Sequence, residues 1–461
     1  MTEIDFNDTE TKPELEFKKA YNYFDPKPLE IKQLEEFYIE YFSQSAVKEL
    51  KTTIDITEKY RKLLVVGHRG CGKSTVLNKI CQDIQEKKNQ YTIVAFSASD
   101  VVNISEIEAI DILFAIYFRV FEKTLQSDSK EQLDKINKQR PNDNIGGGTN
   151  LLPNASKVPV KEELESSVAT IPIIKNQFQE LFKKLSIPIG LSDVNVSLLG
   201  LISFKYKVES ETRSNVRIKL KEETKELQRN IKNACDTLKS ITKKETIIII
   251  DDLDKLSSDV AKNIFFKNYN LLSDTPSKVI YTFPLDVYYE PEYNKYSDLY
   301  DEIFIPICNL TDIAGNERYE NKNALFEMVY KRIDKKLVSP IALSYLIDMS
   351  GGLLRDLVKF MQDACKFAIM DKINQITEDI AKKVVERKIN AIDRVFDSIK
   401  YKEVIFEIER DHHSISKEHL VYLLHNLFVL EYREGSDVWY IIHPCLKKAL
   451  TSSKEKKGIP G

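Results

Sequence analysis

One stretch constrains this chain more than any other: Leu63-Leu64-Val65-Val66-Gly67-His68-Arg69-Gly70-Cys71-Gly72-Lys73-Ser74-Thr75. An apolar run of strand length ends in G-x-x-x-x-G-K-S, and a helix-like segment from Val76 to Ile84 follows. Strand, glycine loop and helix N-terminus in that order make a phosphate cradle. Gly67, Gly70 and Gly72 allow backbone conformations that turn successive N–H groups inward. The helix beginning near Lys73 adds free N–H donors and the positive end of its dipole. The expected nucleotide-binding set is therefore Gly67, His68, Arg69, Gly70, Cys71, Gly72, Lys73, Ser74 and Thr75. Lys73 brings a point charge to the β- and γ-phosphates, and the Ser74 hydroxyl is a ligand for Mg²⁺. The short pattern alone recurs by chance; the strand before it and the helix after it give it meaning.

A second stretch has the matching chemistry. Thr246-Ile247-Ile248-Ile249-Ile250 reads as a strand buried on both faces, and it runs straight into Asp251-Asp252-Leu253-Asp254. Ligands bind at the carboxyl ends of parallel strands. Asp251 is placed to hold Mg²⁺, directly or through water, and Asp252 to orient an attacking water. Adjacent acids at the edge of an apolar strand are costly without such a role. A further strand, Lys278 to Pro284, ends near Thr282, which either touches the γ-phosphate or is a plain strand-end threonine. In Ser350-Gly351-Gly352-Leu353-Leu354-Arg355, the glycines put Arg355 in the first turn of a helix, close to a neighbouring surface. There it clamps a phosphate across a cleft, or is an ordinary surface arginine.

These motifs divide the chain. Residues 1–61 are an N-terminal helical and entry segment, with Tyr21, Tyr23 and Phe24 before Pro26 and Pro28. Those aromatic residues pack either on a nucleotide base or on the domain edge. Residues 62–335 form the nucleotide-binding α/β domain, with a large insertion at about 100–245. Within the insertion, Ser105 is expected to cap a helix from about Glu106 to Thr124. Residues 126–160 read as a flexible loop, 187–207 as a hairpin, and 220–241 as one helix with a single apolar stripe. Tyr288 to Tyr300 reads as a surface loop. Residues 336–399 are a helical lid. Residues 400–450 read as a separate winged helix (helix, helix, hairpin), and 451–461 as a disordered tail.

Composition narrows the classes of function. The net charge of −3 predicts no strong attraction to nucleic acid or anionic lipid. Six cysteines are scattered without a C-x-x-C pair, which favours reduced thiols and a cytoplasmic setting. No run is long and apolar enough to span a membrane, and the acidic first residues lack a signal-peptide pattern. Lys382, Lys383, Arg387, Lys388 and Arg394 make one helix basic, and a solvated face is the better reading. His419 and His425 are badly spaced for a metal, and Trp439 reads as core.

Gly67 to Thr75, then Asp251-Asp252-Leu253-Asp254, then Gly351-Gly352-x-x-Arg355, in that order, resemble the AAA+/STAND superfamily of P-loop ATPases. The D-D-L-D ending is similar to the KAP and NACHT-like branches. The glycine pair and arginine resemble the second sensor of origin-recognition-type AAA+ proteins, which also carry a winged helix after the lid. The resemblance covers roughly residues 22–98 and 246–450. It implies a parallel sheet with helices on both faces, and an ATP/ADP switch. Lys73 and Ser74 would hold phosphate and Mg²⁺, Asp251 the metal and Asp252 the water. Thr282 would be the first sensor and Arg355 the second. It also implies a protein partner or effector, a nucleotide-dependent homo-oligomer, and a place in bacterial signalling or antiviral defence. A DNA-binding initiator or loader is the alternative, although the expected recognition helix, Ser416 to Phe428, holds one lysine. Two departures stand out. Asp252 replaces the usual Glu and is one methylene shorter, so hydrolysis should be slow. No arginine lies between Asp254 and Arg318 to serve as a finger, which leaves Arg318 or Arg332.

Overall fold

The computed structural model describes residues 12–42, 44–56, 60–86, 90–139, 162–185, 210–411 and 417–456. Five parallel strands form its central sheet in the order β2-β3-β4-β1-β5: β1 Lys62–Gly67, β2 Tyr91–Ser97, β3 Glu245–Asp251, β4 Lys278–Pro284 and β5 Asp301–Phe304. The cradle strand β1 and the acid-ending strand β3 thus flank β4. β1 and β3 are apolar along their length because helices cover both faces. Side chains alternate with period two. Leu64, Val66, Ile248, Ile250 and Tyr281 enter one core, and Leu63, Val65, Ile247, Ile249 and Ile280 the other.

The helices before and within the sheet are α1 Lys12–Tyr23, α2 Ile31–Phe37, α3 Gln44–Ile56, α4 Lys73–Glu86, α5 Ala98–Val101, α6 Ala109–Gln139, α7 Glu162–Lys184, α8 Ser210–Glu222 and α9 Thr224–Thr242. The insertion packs on the first face. Phe114, Tyr117, Phe118 and Phe121 of α6 fall at helical spacing and meet Phe178 and Phe182 of α7, with Phe121 and Phe178 stacked 4.3 Å apart. Helix α6 starts at Ala109, not at the expected Ser105 cap, and runs to Gln139, into the stretch read as a flexible loop. The stripe over 220–241 is split near Glu223 into α8 and α9, although Leu220, Leu227, Ile231, Ala234 and Leu238 are all buried as expected. The hairpin expected at 187–207 lies outside the described residues.

After β3 come α10 Ser258–Lys262 and α11 Tyr269–Ser273; α12 Leu285–Tyr288 follows β4. Tyr288 to Tyr300 lies largely at the surface as expected, but as short 3₁₀ turns in which Tyr293 and Tyr300 are buried and Tyr288 packs edge-on against Phe304. Next come α13 Tyr319–Tyr330, α14 Pro340–Ser350, α15 Leu354–Met370 and α16 Glu378–Val395. The C-terminal elements are α17 Lys402–Arg410, α18 Lys417–His425, the antiparallel pair β6 Val429–Glu434 and β7 Asp437–Ile442, and α19 Pro444–Lys456. Part of the expected disordered tail is therefore helix.

Two expected divisions do not match the packing. The entry segment is shared: Phe17, Ala20 and Phe24 sit in the core of α14–α16, while α3 packs on the sheet. The C-terminal elements share their buried residues with the rest of the chain. Leu423, Phe428 and Leu446 join the core of α14–α16, and Leu430, Tyr432 and Trp439 join the sheet's second core beside Cys71. Their hairpin is thereby held against the glycine loop. Among the described residues, no helix is long and apolar enough to cross a membrane.

Candidate nucleotide site

A cavity of about 970 Å³, counting its open mouth, runs from the glycine loop to the entry segment. Gly70 to Val76, Asp254 and Arg355 line it from the loop, and Phe37, Ile39, Phe42, Met328 and Arg332 also line it, with Arg332 in contact with Phe37 and Met328. The stretch Asp25 to Leu29 lines it too and is tied to α4: the Leu29 N–H donates to Thr75 Oγ1 (3.2 Å) and Asn78 Nδ2 donates to the Leu29 carbonyl (2.8 Å). The aromatic residues reaching the cavity are thus Phe37, Tyr38 and Phe42. Phe24 is buried among α14–α16, and Tyr23 packs on Phe37.

Lys73 is almost fully buried. Its ammonium donates to the carbonyls of Gly67 and His68 (2.8 Å each) and lies 2.8 Å from Asp254 Oδ2. Burial, the largest single effect, lowers its pKa, but the Asp254 charge and hydrogen bond together with Cys71 and Asp251 outweigh it and hold the group above the ordinary value. Asp254 is the site residue that the sequence reading left without a role. Asp252 adopts a left-handed conformation (φ 70°), and the short 3₁₀ turn Leu253–Lys255 then places Asp254 beside Lys73. The only signal was a third acid in D-D-L-D. Gly67, His68 and Arg69, expected to contact phosphate, are not among the cavity residues. Gly67 and His68 offer their carbonyls to Lys73 instead, and Cys71 is buried beneath the loop.

The acids also divide their work differently from expectation. Asp251 is hydrogen-bonded to the Ser74 side chain; burial raises its pKa and that bond opposes the rise. Asp252 does not face open water. Its Oδ2 accepts from Ser97 Oγ (2.5 Å) and Ser99 Oγ (3.0 Å), and its other oxygen pairs with Lys255. Burial pushes its pKa up, but these partners outweigh that and leave it low. Thr282 is fully buried, and its hydroxyl accepts the Leu253 N–H (3.0 Å). It thus holds the acidic turn and is not among the cavity residues. Carboxylate oxygens of Asp251, Asp252 and Asp254 lie within 4.8 Å of one another. With the Ser74 hydroxyl they form a hard-oxygen set that fits Mg²⁺.

Arg355 does reach the loop. Its N–H donates to the Gly70 carbonyl (3.1 Å), and a Cβ on Gly70 (φ +90°) would lie 2.7 Å from Arg355 Cβ. That contact requires glycine. Its neighbour Asp356 binds Lys388 (2.8 Å) and the buried His443 (3.1 Å). Burial opposes ionisation of Asp356, but the His443 bond and the Lys388 charge pull its pKa down to about 2. A carboxyl depressed in the fold stabilises it fully above the unfolded value, near 3.8, and the contribution is lost as pH falls towards 2. Asp356→Asn should therefore cost on the order of 2 kcal/mol at pH 6 and progressively less towards pH 3. Urea midpoints of the two proteins across that range check this.

Of the two arginines considered as fingers, Arg318 pairs with Glu434 and Arg332 lines the protein's own cavity. The histidines serve contacts between elements. His425 Nδ1 meets Asp286 of α12 (3.1 Å), and His68 Nε2 accepts the Glu431 N–H (2.7 Å). Burial, and secondarily Lys73, push the His68 pKa down to about 3, so the ring stays neutral. The basic helix α16 is locally neutralised: Lys382 meets Glu378, Lys383 meets Asp371 and Lys388 meets Asp356.

The KAP family P-loop domain matches residues 45–283, just over half of the 461-residue chain. The chain belongs to the KAP P-loop family. That match covers β1 to β4 of this KAP protein, both acidic and glycine motifs included. No curated protein matches it. Solved structures similar to it include a Drosophila ORC bound to DNA, at 11% identity and TM-score 0.34, over 98% of this chain and 95% of that one. The Aeropyrum pernix ORC1 protein in complex with DNA gives 9% and 0.35, over 91% and 94%. The Aeropyrum pernix ORC2 protein in ADPNP–ADP complexes gives 9% and 0.36, over 95% and 98%.

Proposed function

We propose that this KAP protein binds ATP with Mg²⁺, hydrolyses it slowly, and uses the bound nucleotide to set whether its lid and winged helix stay docked on the P-loop domain. The observation that carries this reading is a pair of contacts on the loop itself: Arg355 N–H to Gly70 and Glu431 N–H to the His68 ring. Both come from elements that follow the sheet domain, and both land on the glycine loop. A nucleotide that reshapes the loop changes their energy, so it shifts the docking equilibrium by its differential affinity for the two states.

Within the site, Lys73 would leave Asp254 for the phosphates, and Ser74 with Asp251 would hold the metal. A bound Mg²⁺ would supply charge neutralisation for the triphosphate. Asp252 is both short and held by Ser97, Ser99 and Lys255, which supports slow turnover. A protein partner, or a second copy in a nucleotide-dependent assembly, is the receiver of the switch, with the insertion at about 100–245 as its surface. Six buried free cysteines are in keeping with a reducing cytoplasm. Signalling or antiviral defence is the setting supported by the STAND resemblance. DNA reading ranks second. The expected recognition helix α18 is engaged with α12 through His425, and β6 is buried against the loop.

Trp439, the single tryptophan, tests the switch. It is 1% exposed in the core that β6 and β7 share with the loop. Undocking of the hairpin would wet it. Its emission should shift to longer wavelength with a non-hydrolysable ATP analogue relative to ADP, and should not respond in Lys73→Ala. Identical spectra with both nucleotides, under saturation, would remove the switch and leave a nucleotide-binding scaffold.

A further inference from the structure

Arg332 lines the same cavity as the phosphate loop, in a group with Phe37 and Met328. It is 7% exposed. Its guanidinium donates to the Met328 carbonyl (2.7 Å) and, at 3.4 Å, to that of Phe37, and lies 4.9 Å above the Phe37 ring. Among the described residues no carboxylate lies within ion-pair distance; Glu36 acts only through its field. Burial correspondingly pulls the guanidinium down to about 10. A charged, donor-only group with five N–H bonds is thus held in a pocket wall with two carbonyl partners and no counter-ion. Buried charge of that kind is costly unless something in the pocket accepts from it.

The surroundings say what that acceptor is. Phe37, Ile39, Phe42 and Met328 give the cavity an apolar and aromatic part of its wall. Such walls suit a flat heteroaromatic ring better than a hydroxylated sugar or a phosphate. The phosphates are claimed by the loop residues Lys73 and Ser74. We propose that Arg332 is the base-reading residue of the site, donating to a ring acceptor of a purine nucleoside triphosphate slotted beside Phe37. The proposal rests on the nucleotide-binding reading above. It also gives Arg332 a role within its own subunit, in place of a finger offered to a neighbour.

The test separates base from phosphate. Binding of ATP, GTP, CTP, UTP and inorganic tripolyphosphate is measured on wild type, Arg332→Lys and Arg332→Met by displacement of a fluorescent ATP analogue. Arg332→Met should weaken purine nucleotides roughly 10- to 100-fold, flatten the preference among the four bases, and leave tripolyphosphate within about twofold. Equal loss for all nucleotides and tripolyphosphate would overturn the proposal, because a clamp on the entry segment acts without regard to the base. So would equal loss for the four nucleotides with tripolyphosphate spared, which assigns Arg332 to ribose. Wild-type protein provides a second arm that needs no variant. Among 1-deaza-, 3-deaza- and 7-deaza-ATP, each lacking one ring acceptor, at least one should bind 10-fold or more weaker than ATP; three unchanged affinities would end the proposal. Failure of wild type to bind tripolyphosphate and every nucleotide would instead sink nucleotide binding itself.

Discussion

Gly352→Ala is expected to cost more than about 4 kcal/mol of stability, the exceptional end of the range for single substitutions. Two effects add. Gly352 has φ +74°, where an L-residue with a side chain is strained by about 1–2 kcal/mol. A Cβ there would lie 1.8 Å from the Cys308 carbonyl oxygen. Backbone cannot swing away as a side-chain end can, and the Cys308 N–H already donates to the Gly352 carbonyl (3.3 Å). Relief would pull the segment after β5 away from the start of α15, and with it Arg355 from Gly70. Two other glycines calibrate the claim. Gly351→Ala, at φ +58°, meets the tip of Leu430 at 2.7 Å and Pro444 at 3.0 Å, so side-chain movement should lessen its cost. Gly435→Ala, also at φ +58°, meets nothing within 4 Å and should show the backbone cost alone, about 1 kcal/mol. Chemical denaturation should rank them in that order. A Gly352→Ala protein no less stable than Gly435→Ala would mean that α15 does not dock on Cys308 as described.

The same glycine pair shows which parts of the site sequence reasoning can reach. Strand, loop and helix around Lys73 are contiguous, so their geometry is dictated by neighbours in the chain. The four isoleucines of β3 announce a strand buried on both faces for the same reason. Two glycines ahead of Arg355 signalled a close approach without saying to what; the answer, Gly70, lies far upstream. His68 with Glu431 and Arg332 with Phe37 are pairings across most of the chain, and His443 with Asp356 spans 87 residues. Nothing in local periodicity announces a partner hundreds of residues away. Errors within the insertion have another origin. Polar residues past Thr124 look like loop, yet α6 continues through them, because helix propensity tolerates a polar face wherever one stripe is anchored. Asp254 was left without a role because no local pattern announces the left-handed Asp252, which turns the third acid towards Lys73.

Asp254→Ala should destabilise the nucleotide-free protein by about 3–5 kcal/mol, as expected when a buried ion pair loses one partner. The reason lies on the surviving side. Lys73 keeps two carbonyls, at Gly67 and His68, but no anion, in a position with almost no access to water. Three outcomes follow from that single cause. Lys73→Met in the Asp254→Ala background should recover part of the loss, because the uncompensated charge is gone; the double change should cost less than the sum of the two single ones. A triphosphate should raise the melting temperature of Asp254→Ala more than that of wild type, since it supplies the missing counter-charge and no longer competes with a carboxylate for Lys73. Lys73→Met should abolish that rise. Thermal denaturation of the three variants with and without ATP reads all of this. Strict additivity of the two substitutions, or an ATP response unchanged by loss of Asp254, would show that Lys73 and Asp254 are neighbours without being partners. The acidic turn would then have to act on the nucleotide through Asp251 and Ser74 alone.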